Sequence, residues 1–207
     1  MQILLYLCSM KLVFATNNAH KLDEVRRILP QEVEVLSLEQ VGFLHDIDET
    51  GTTLAENSRI KAEAVAKFLV ESGKWKEEGP DGVFADDTGL EIEALGGKPG
   101  VYTARWAGEP AANRRKALQE LADKPNRAAQ FRTVVTLIDR TGTRQVDGIV
   151  RGRIATEERG DGGFGYDPVF IPEGYDRTFA ELPAEIKNTI SHRARAMSEL
   201  KKLLQLS

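Results

Sequence analysis

The chain of 207 residues holds a single cysteine, Cys8. A lone thiol excludes an internal disulfide framework and a cysteine-rich metal site, and it suits a reducing compartment, so a cytoplasmic location is expected. No apolar run approaches the about 20 residues that span a bilayer. The nearest candidate, Ile3-Leu4-Leu5-Tyr6-Leu7-Cys8, also lacks the basic flank and long apolar stretch of a signal peptide. A membrane is therefore not an expected partner. Positive charge is not in excess either: 28 Lys and Arg face 32 Asp and Glu, a net charge of −4. No general basic field draws nucleic acid, and any phosphate must be held by local lysines, arginines, backbone amides or a metal. That points to a small anionic ligand. Internal repeats and low-complexity linkers are missing too. What is present, 41% hydrophobic residues over this length, can bury a substantial core in one large domain or one domain with two lobes.

Residues 11–16 read as a buried first strand. Residues 1–9 ahead of them read as an upstream start or an extension packed outside the fold, which leaves residues 10–207 as the folded unit. Leu22, Val25, Ile28 and Leu29 recur at helical spacing and stop at Pro30, predicting a helix over 21–29 and then a short strand over 34–38. Thr53-Leu54-Ala55-Glu56 has the form of a capping box and predicts a helix through Ile60, Ala64 and Phe68 that closes at Gly73. Val83-Phe84-Ala85 reads as an interior strand running into acids. Leu90, Ile92 and Ala94 alternate with Glu91 and Glu93 ahead of a turn-rich loop at 96–100. A helix over 113–121 precedes a hairpin of residues 131–139 and 144–155 about Thr141-Gly142, and the last helix starts near Ser191. The interleaved periods predict a mixed α/β fold whose sheet extends into a second lobe.

Three clusters carry chemistry. Thr16-Asn17-Asn18-Ala19-His20-Lys21 lies at a strand-to-helix junction, where helix amides, small polar side chains and a lysine receive phosphate. It has no glycines and is not a Walker loop; alone, it reads more readily as an Asn cap followed by a solvated lysine. The second cluster is Asp86-Asp87-Thr88-Gly89. If the strand continues, its two acids point to opposite faces, so one of them enters the site, and Asp87 is the choice. Carboxylates with waters and substrate phosphates suit Mg²⁺, and Mn²⁺ suits the same oxygens; a second acid is available at Asp48-Glu49 before Gly51. Either acidic pair, alone, is more often a turn or a solvated face. The third cluster joins Gly163-Phe164-Gly165-Tyr166-Asp167-Pro168 to Ser191-His192-Arg193. An aromatic between glycines, an acid and a His-Arg pair make a pocket for a nucleobase. His192 and Arg193 put positive charge in a helix's first turn, against the macrodipole, which an anion or base oxygen in front of the helix would explain, with Lys187 joining from upstream. Surface ion pairs are the plainer account of Arg193 and Arg195.

In order along the chain, these blocks resemble the inosine triphosphate pyrophosphatase family. The residues that carry the resemblance are Thr16-Asn17-Asn18 with Lys21, Glu56-Asn57 leading to Lys61, Ala85-Asp86-Asp87-Thr88-Gly89-Leu90, and Pro99-Gly100-Val101-Tyr102-Thr103-Ala104-Arg105. Gly163-Phe164-Gly165-Tyr166-Asp167-Pro168 with Phe170, and Lys187 with Ser191-His192-Arg193, complete it. The resemblance implies a two-lobed α/β fold with a central mixed sheet flanked by helices, a nucleotide cleft between the lobes, and a homodimer. It implies Mg²⁺-dependent hydrolysis of non-canonical purine nucleoside triphosphates between the α and β phosphates. Asp87 matches the family's general base. The metal-binding acid falls on Asp48, where the family usually has Glu, so either the loop shifts, a water intervenes, or neighbouring Glu49 takes over the ligand; Thr88 replaces a common Ser and keeps the hydroxyl.

On this reading Lys21, Lys61 and the 16–18 amides neutralise the triphosphate, a metal is held by Asp87 with Asp48 or Glu49, and Asp87 orients or deprotonates the water. Phe164 or Tyr166 stacks on the base, while Lys187, His192 and Arg193 offer donors to the oxygen at position six, which adenine lacks. The acidic and basic clusters alone also allow a phosphatase or kinase acting on the γ-phosphate, or a nucleotide sensor without turnover. Neither explains base-reading residues beside a phosphate loop.

Overall fold

A computed structural model describes residues 10–76 and 78–206, so the expected extension at residues 1–9 lies outside the described residues. The chain opens with β1 (Met10–Phe14), α1 (Ala19–Ile28) and β2 (Val33–Leu36), a crossover that lays β2 parallel to β1. It continues with α2 (Leu54–Glu71), β3 (Gly82–Ile92), β4 (Lys98–Gly100), α3 (Pro110–Glu120), β5 (Ala128–Asp139) and β6 (Gly142–Ile154). The remainder is β7 (Phe170–Pro172), α4 (Ala184–Ile190) and α5 (His192–Leu203). The mixed sheet has the order β2-β1-β3-β5-β6-β7, with β4 also paired to β3.

Apolar packing divides along the sheet. On one face α1 and α5 press Val25, Met197 and Leu200 onto Leu12, Phe14 and Phe84. On the other, α2 presses Ala62, Val65 and Leu69 onto Val13, Val83 and Ala85. A separate cluster built on Leu90, Ile92, Leu121, Phe131, Phe170 and Phe179 fills the far end. Each large side chain so buried contributes about 1.5–3 kcal/mol. The two ends are joined by β3, β5 and β6, which run through both.

Local chemistry explains the element ends. Glu56 N–H donates to Thr53 Oγ1 at 3.1 Å and Thr53 N–H donates to Glu56 Oε2 at 3.1 Å, the capping box read from the sequence. α1 starts two residues before the predicted range, at Ala19, because Asn18 caps it: Lys21 N–H donates to Asn18 Oδ1 at 3.2 Å. Its last turn holds Arg26 and Arg27, favourable at a helix C-terminus. The predicted last helix is preceded by the short α4, and Ser191 both ends α4 and caps α5 by accepting from Ala194 N–H at 3.2 Å.

β3 differs most from expectation, being one strand through the acids rather than two short segments. β5 pairs with it along its whole length, from Gly82↔Asp139 to Ile92↔Ala129. Its other edge is covered only at the ends. Pairing with β1 stops at Phe14↔Phe84, and pairing with β4 begins at Leu90↔Gly100. Residues 86–89 therefore have a strand on one side and an opening on the other.

Asp86 lies beneath that opening, fully buried, 2.7 Å from Lys21 Nζ and 3.1 Å from Arg193 Nε. Arg193 also pairs with Glu24, Glu24 with Lys187 at 2.7 Å, and Lys187 with Asp167 at 2.6 Å. Three cations and three carboxylates thus alternate from Lys21 to Asp167, tying β3, α1, α4 and α5 together. Burial opposes ionisation of Asp86, but the charges of Lys21 and Arg193 outweigh it and hold the carboxyl well below the ordinary 3.8. Asp86→Asn leaves both cations without their shared counter-charge, and urea unfolding should show a loss of about 3–5 kcal/mol. Because the folded-state value is depressed, this stabilisation is present above about pH 4 and fades as pH falls below it. The variant should accordingly lose less stability on acidification than the native chain; parallel acid profiles would place that pH dependence on other groups.

Candidate active site

A cavity of about 850 Å³ opens where β3 lacks its neighbour. Thr16, Asn17, Asn18, His20 and Lys21 line one side, and Ala19 does not reach it. The Asn cap is real, but the lysine is not solvated: Lys21 is bonded to Asp86, and burial lowers its pKa against the pull of that carboxylate.

Alternation along β3 separates the two acids. Asp86 turns to the α1 and α5 face, while Asp87 lines the cavity and meets α2 through Lys61, whose Nζ is 3.1 Å from Asp87 Oδ1 and 3.3 Å from Glu49 Oε1. Burial opposes the Lys61 charge, yet Asp87, Asp86 and Glu49 outweigh it and raise its pKa above 10.5. At Asp87 the balance is reversed: burial pushes the carboxyl above its ordinary 3.8 despite Lys61 and Lys21. Its second oxygen, Oδ2, is buried without a hydrogen-bond partner. Glu49 lines the cavity, whereas Asp48 is exposed and does not, so the neighbour and not the expected Asp48 stands beside Asp87. Among the described residues no group of three or more His, Cys, Asp or Glu could hold a metal. Two carboxylates, one with a free oxygen, fit a hard cation that takes its other ligands from phosphate and water. Thr88 also lines the cavity, its hydroxyl 2.7 Å from that of Thr133.

The other end is aromatic and cationic. Phe164 is half-buried, with Lys187 Nζ 4.6 Å and the Arg193 guanidinium carbon 5.8 Å from its ring centre. Tyr166 is buried and donates its hydroxyl to Thr103 O at 3.1 Å, which leaves Phe164 as the accessible ring of the two. Asp167 braces the loop from below, accepting from Phe164 N–H at 2.7 Å and from Lys187 at 2.6 Å. Gly163 is required twice over: its φ is +70°, and a Cβ there would collide with the Asp167 carboxylate. Gly165 lines the cavity and its carbonyl accepts from Arg114 Nη1 at 2.9 Å, so α3 holds the loop as well.

Two expectations change here. His192 is not a cation: burial, with Arg193 and Lys187 nearby, drives its pKa well below 6.5. It stacks on Phe131 at 4.6 Å as a neutral ring, with Nδ1 unpartnered, and can accept as well as donate. Arg193 does not await an external anion to balance its place in the first turn of α5, because Glu24 and Asp86 supply the charge. Sequence reading missed Glu24. Its signal was position, one turn after Lys21 on α1, hence on the same face.

The family model described as the Ham1 family matches residues 12–203. A Porphyromonas gingivalis protein named dITP/XTP pyrophosphatase is 52% identical over 94% of this chain and 97% of its own length. A Flavobacterium johnsoniae protein of the same name is 47% identical over 94% of this chain and 98% of its own. The solved Staphylococcus aureus Ham1 protein matches with a TM-score of 0.81 at 38% identity, over 94% of this chain and 98% of that one. Matched by the family model over residues 12–203 and sharing between 38% and 52% of aligned residues with these relatives, the chain belongs to the Ham1 family.

Proposed function

We propose that this chain hydrolyses inosine, deoxyinosine and xanthosine triphosphates to the nucleoside monophosphate and pyrophosphate, clearing them from the nucleotide pool. One observation carries the reading: a single cavity joins an end of lysines and carboxylates (Lys21, Lys61, Asp87, Glu49) to an end of aromatic and donor groups (Phe164, Lys187, His192, Arg193). A purine nucleoside triphosphate has that polarity. The name shared by the relatives, dITP/XTP pyrophosphatase, supports the same substrate class.

Asp87 and Glu49 would hold Mg²⁺, or Mn²⁺ on the same oxygens. When bound, the ion offsets phosphate charge and acidifies water. Lys21 and Lys61 grip the triphosphate from opposite faces of β3 and keep the α-phosphorus open to in-line attack. Asp87 is the base. Its partner-free Oδ2 takes the proton of the attacking water. Pyrophosphate departs against the lysines.

Phe164 stacks on the purine. Lys187 has three N–H donors and gives two to Glu24 and Asp167, so the third is left for the oxygen at position six. An amino group at that position offers no acceptor, and such a contact discriminates by about 1–3 kcal/mol. Free nucleotide in the cytoplasm, handled by a homodimer, completes the proposal; no described helix is long and apolar enough to cross a membrane.

Incubation with inosine or adenosine triphosphate, with and without Mg²⁺, tests this directly. Metal-dependent pyrophosphate and inosine monophosphate are expected, with kcat/KM at least about tenfold above that for the adenine nucleotide. Orthophosphate would replace the reading by a phosphatase, and no product by a sensor. Asp87→Asn should lower kcat by about 10²–10⁴ while calorimetry still detects nucleotide binding; a variant with native turnover would remove Asp87 as the base.

A further inference from the structure

His20 is the second residue of α1, one turn before Glu24, and its imidazole lies against the platform assigned to the base. The ring planes of His20 and Phe164 are 13° apart, with centroids separated by 5.5 Å. His20 is exposed. The other two groups over Phe164 are tethered, Lys187 by Glu24 and Asp167, and Arg193 by Asp86 and Glu24. A purine slipped between two parallel rings needs two contacts of about 3.5 Å, hence about 7 Å between them. The His20 and Phe164 rings, 5.5 Å apart, leave no such slot.

We propose that His20 is a removable cover on Phe164: the imidazole occupies the stacking surface of the empty enzyme and swings aside when a purine takes its place. The inference rests on Phe164 being the base platform. His20 is the group that yields, because it is exposed and hangs from the first turn of a helix, whereas Lys187 and Arg193 are each held by two carboxylates. The same His20–Phe164 contact is lost whichever base arrives. The cover therefore weakens binding of every purine nucleotide by one common factor and leaves the preference between bases untouched. Such a device sets the working affinity of the pocket apart from its specificity.

Calorimetric dissociation constants for inosine and adenosine monophosphate, measured on the native chain and on His20→Ala, His20→Phe, Phe164→Ala and the His20→Ala/Phe164→Ala double variant, test it. Removing the cover should tighten both nucleotides by the same factor, about 2- to 10-fold for one aromatic pair. His20→Phe restores a flat cover and should bind no more tightly than the native chain. In the Phe164→Ala background the effect of His20→Ala should vanish, since no platform remains to be covered. Weaker binding by His20→Ala, a changed ratio between the two nucleotides, or an equal gain without Phe164 would each overturn the cover. Phe164→Ala binding both nucleotides as the native chain does would instead overturn the base platform itself.

Discussion

Between Phe84 and Leu90, β3 has a hydrogen-bonded neighbour along one edge only, and the site depends on that asymmetry. β5 holds the strand straight through its acids, so side chains keep strict alternation and Asp86 and Asp87 are delivered to opposite faces. Each carboxylate then meets cations from whatever covers its face: α1 and α5 supply Lys21 and Arg193, and α2 supplies Lys61. Backbone groups on the bare edge need partners from solvent or ligand, which accounts for a cavity there and not a packed seam.

The alternating charges below the cavity serve two ends at once. Arg193 and Lys187 face Phe164, yet their other bonds run to Asp86, Glu24 and Asp167, which anchor the helices. In a low dielectric each interior charge of the series is tolerated because both neighbours oppose it. Stability and base recognition consequently rest on the same side chains.

Periodicity and capping carried much of the fold into view. The box at Thr53 and Glu56 is a local bond pattern, and the division of labour between Asp86 and Asp87 follows from a period of two; both are properties of a few consecutive residues. What escaped is tertiary or aperiodic. α4 has 7 residues, too few for a helical repeat to show, although it carries Lys187. Glu24 reads as one more solvated acid until α5 brings Arg193 against it. The neutrality of His192 requires knowing that Phe131 and two cations surround it. The loop holding Asp48 and Glu49 has no repeating geometry, so spacing alone gave no means of choosing which carboxylate turns inward.

β3, β5 and β6 pass unbroken from one end of the molecule to the other. A paired strand cannot slide by one residue without turning every side chain to the wrong face, and it stretches hardly at all along its axis. The molecule is thus built like a calliper with its jaws locked. The span from the acids of β3 to the far ends of β5 and β6 is a property of the frame, and adjustment is left to what hangs from it: the 16–18 turn, the 46–49 loop and the 163–166 loop that carries Phe164.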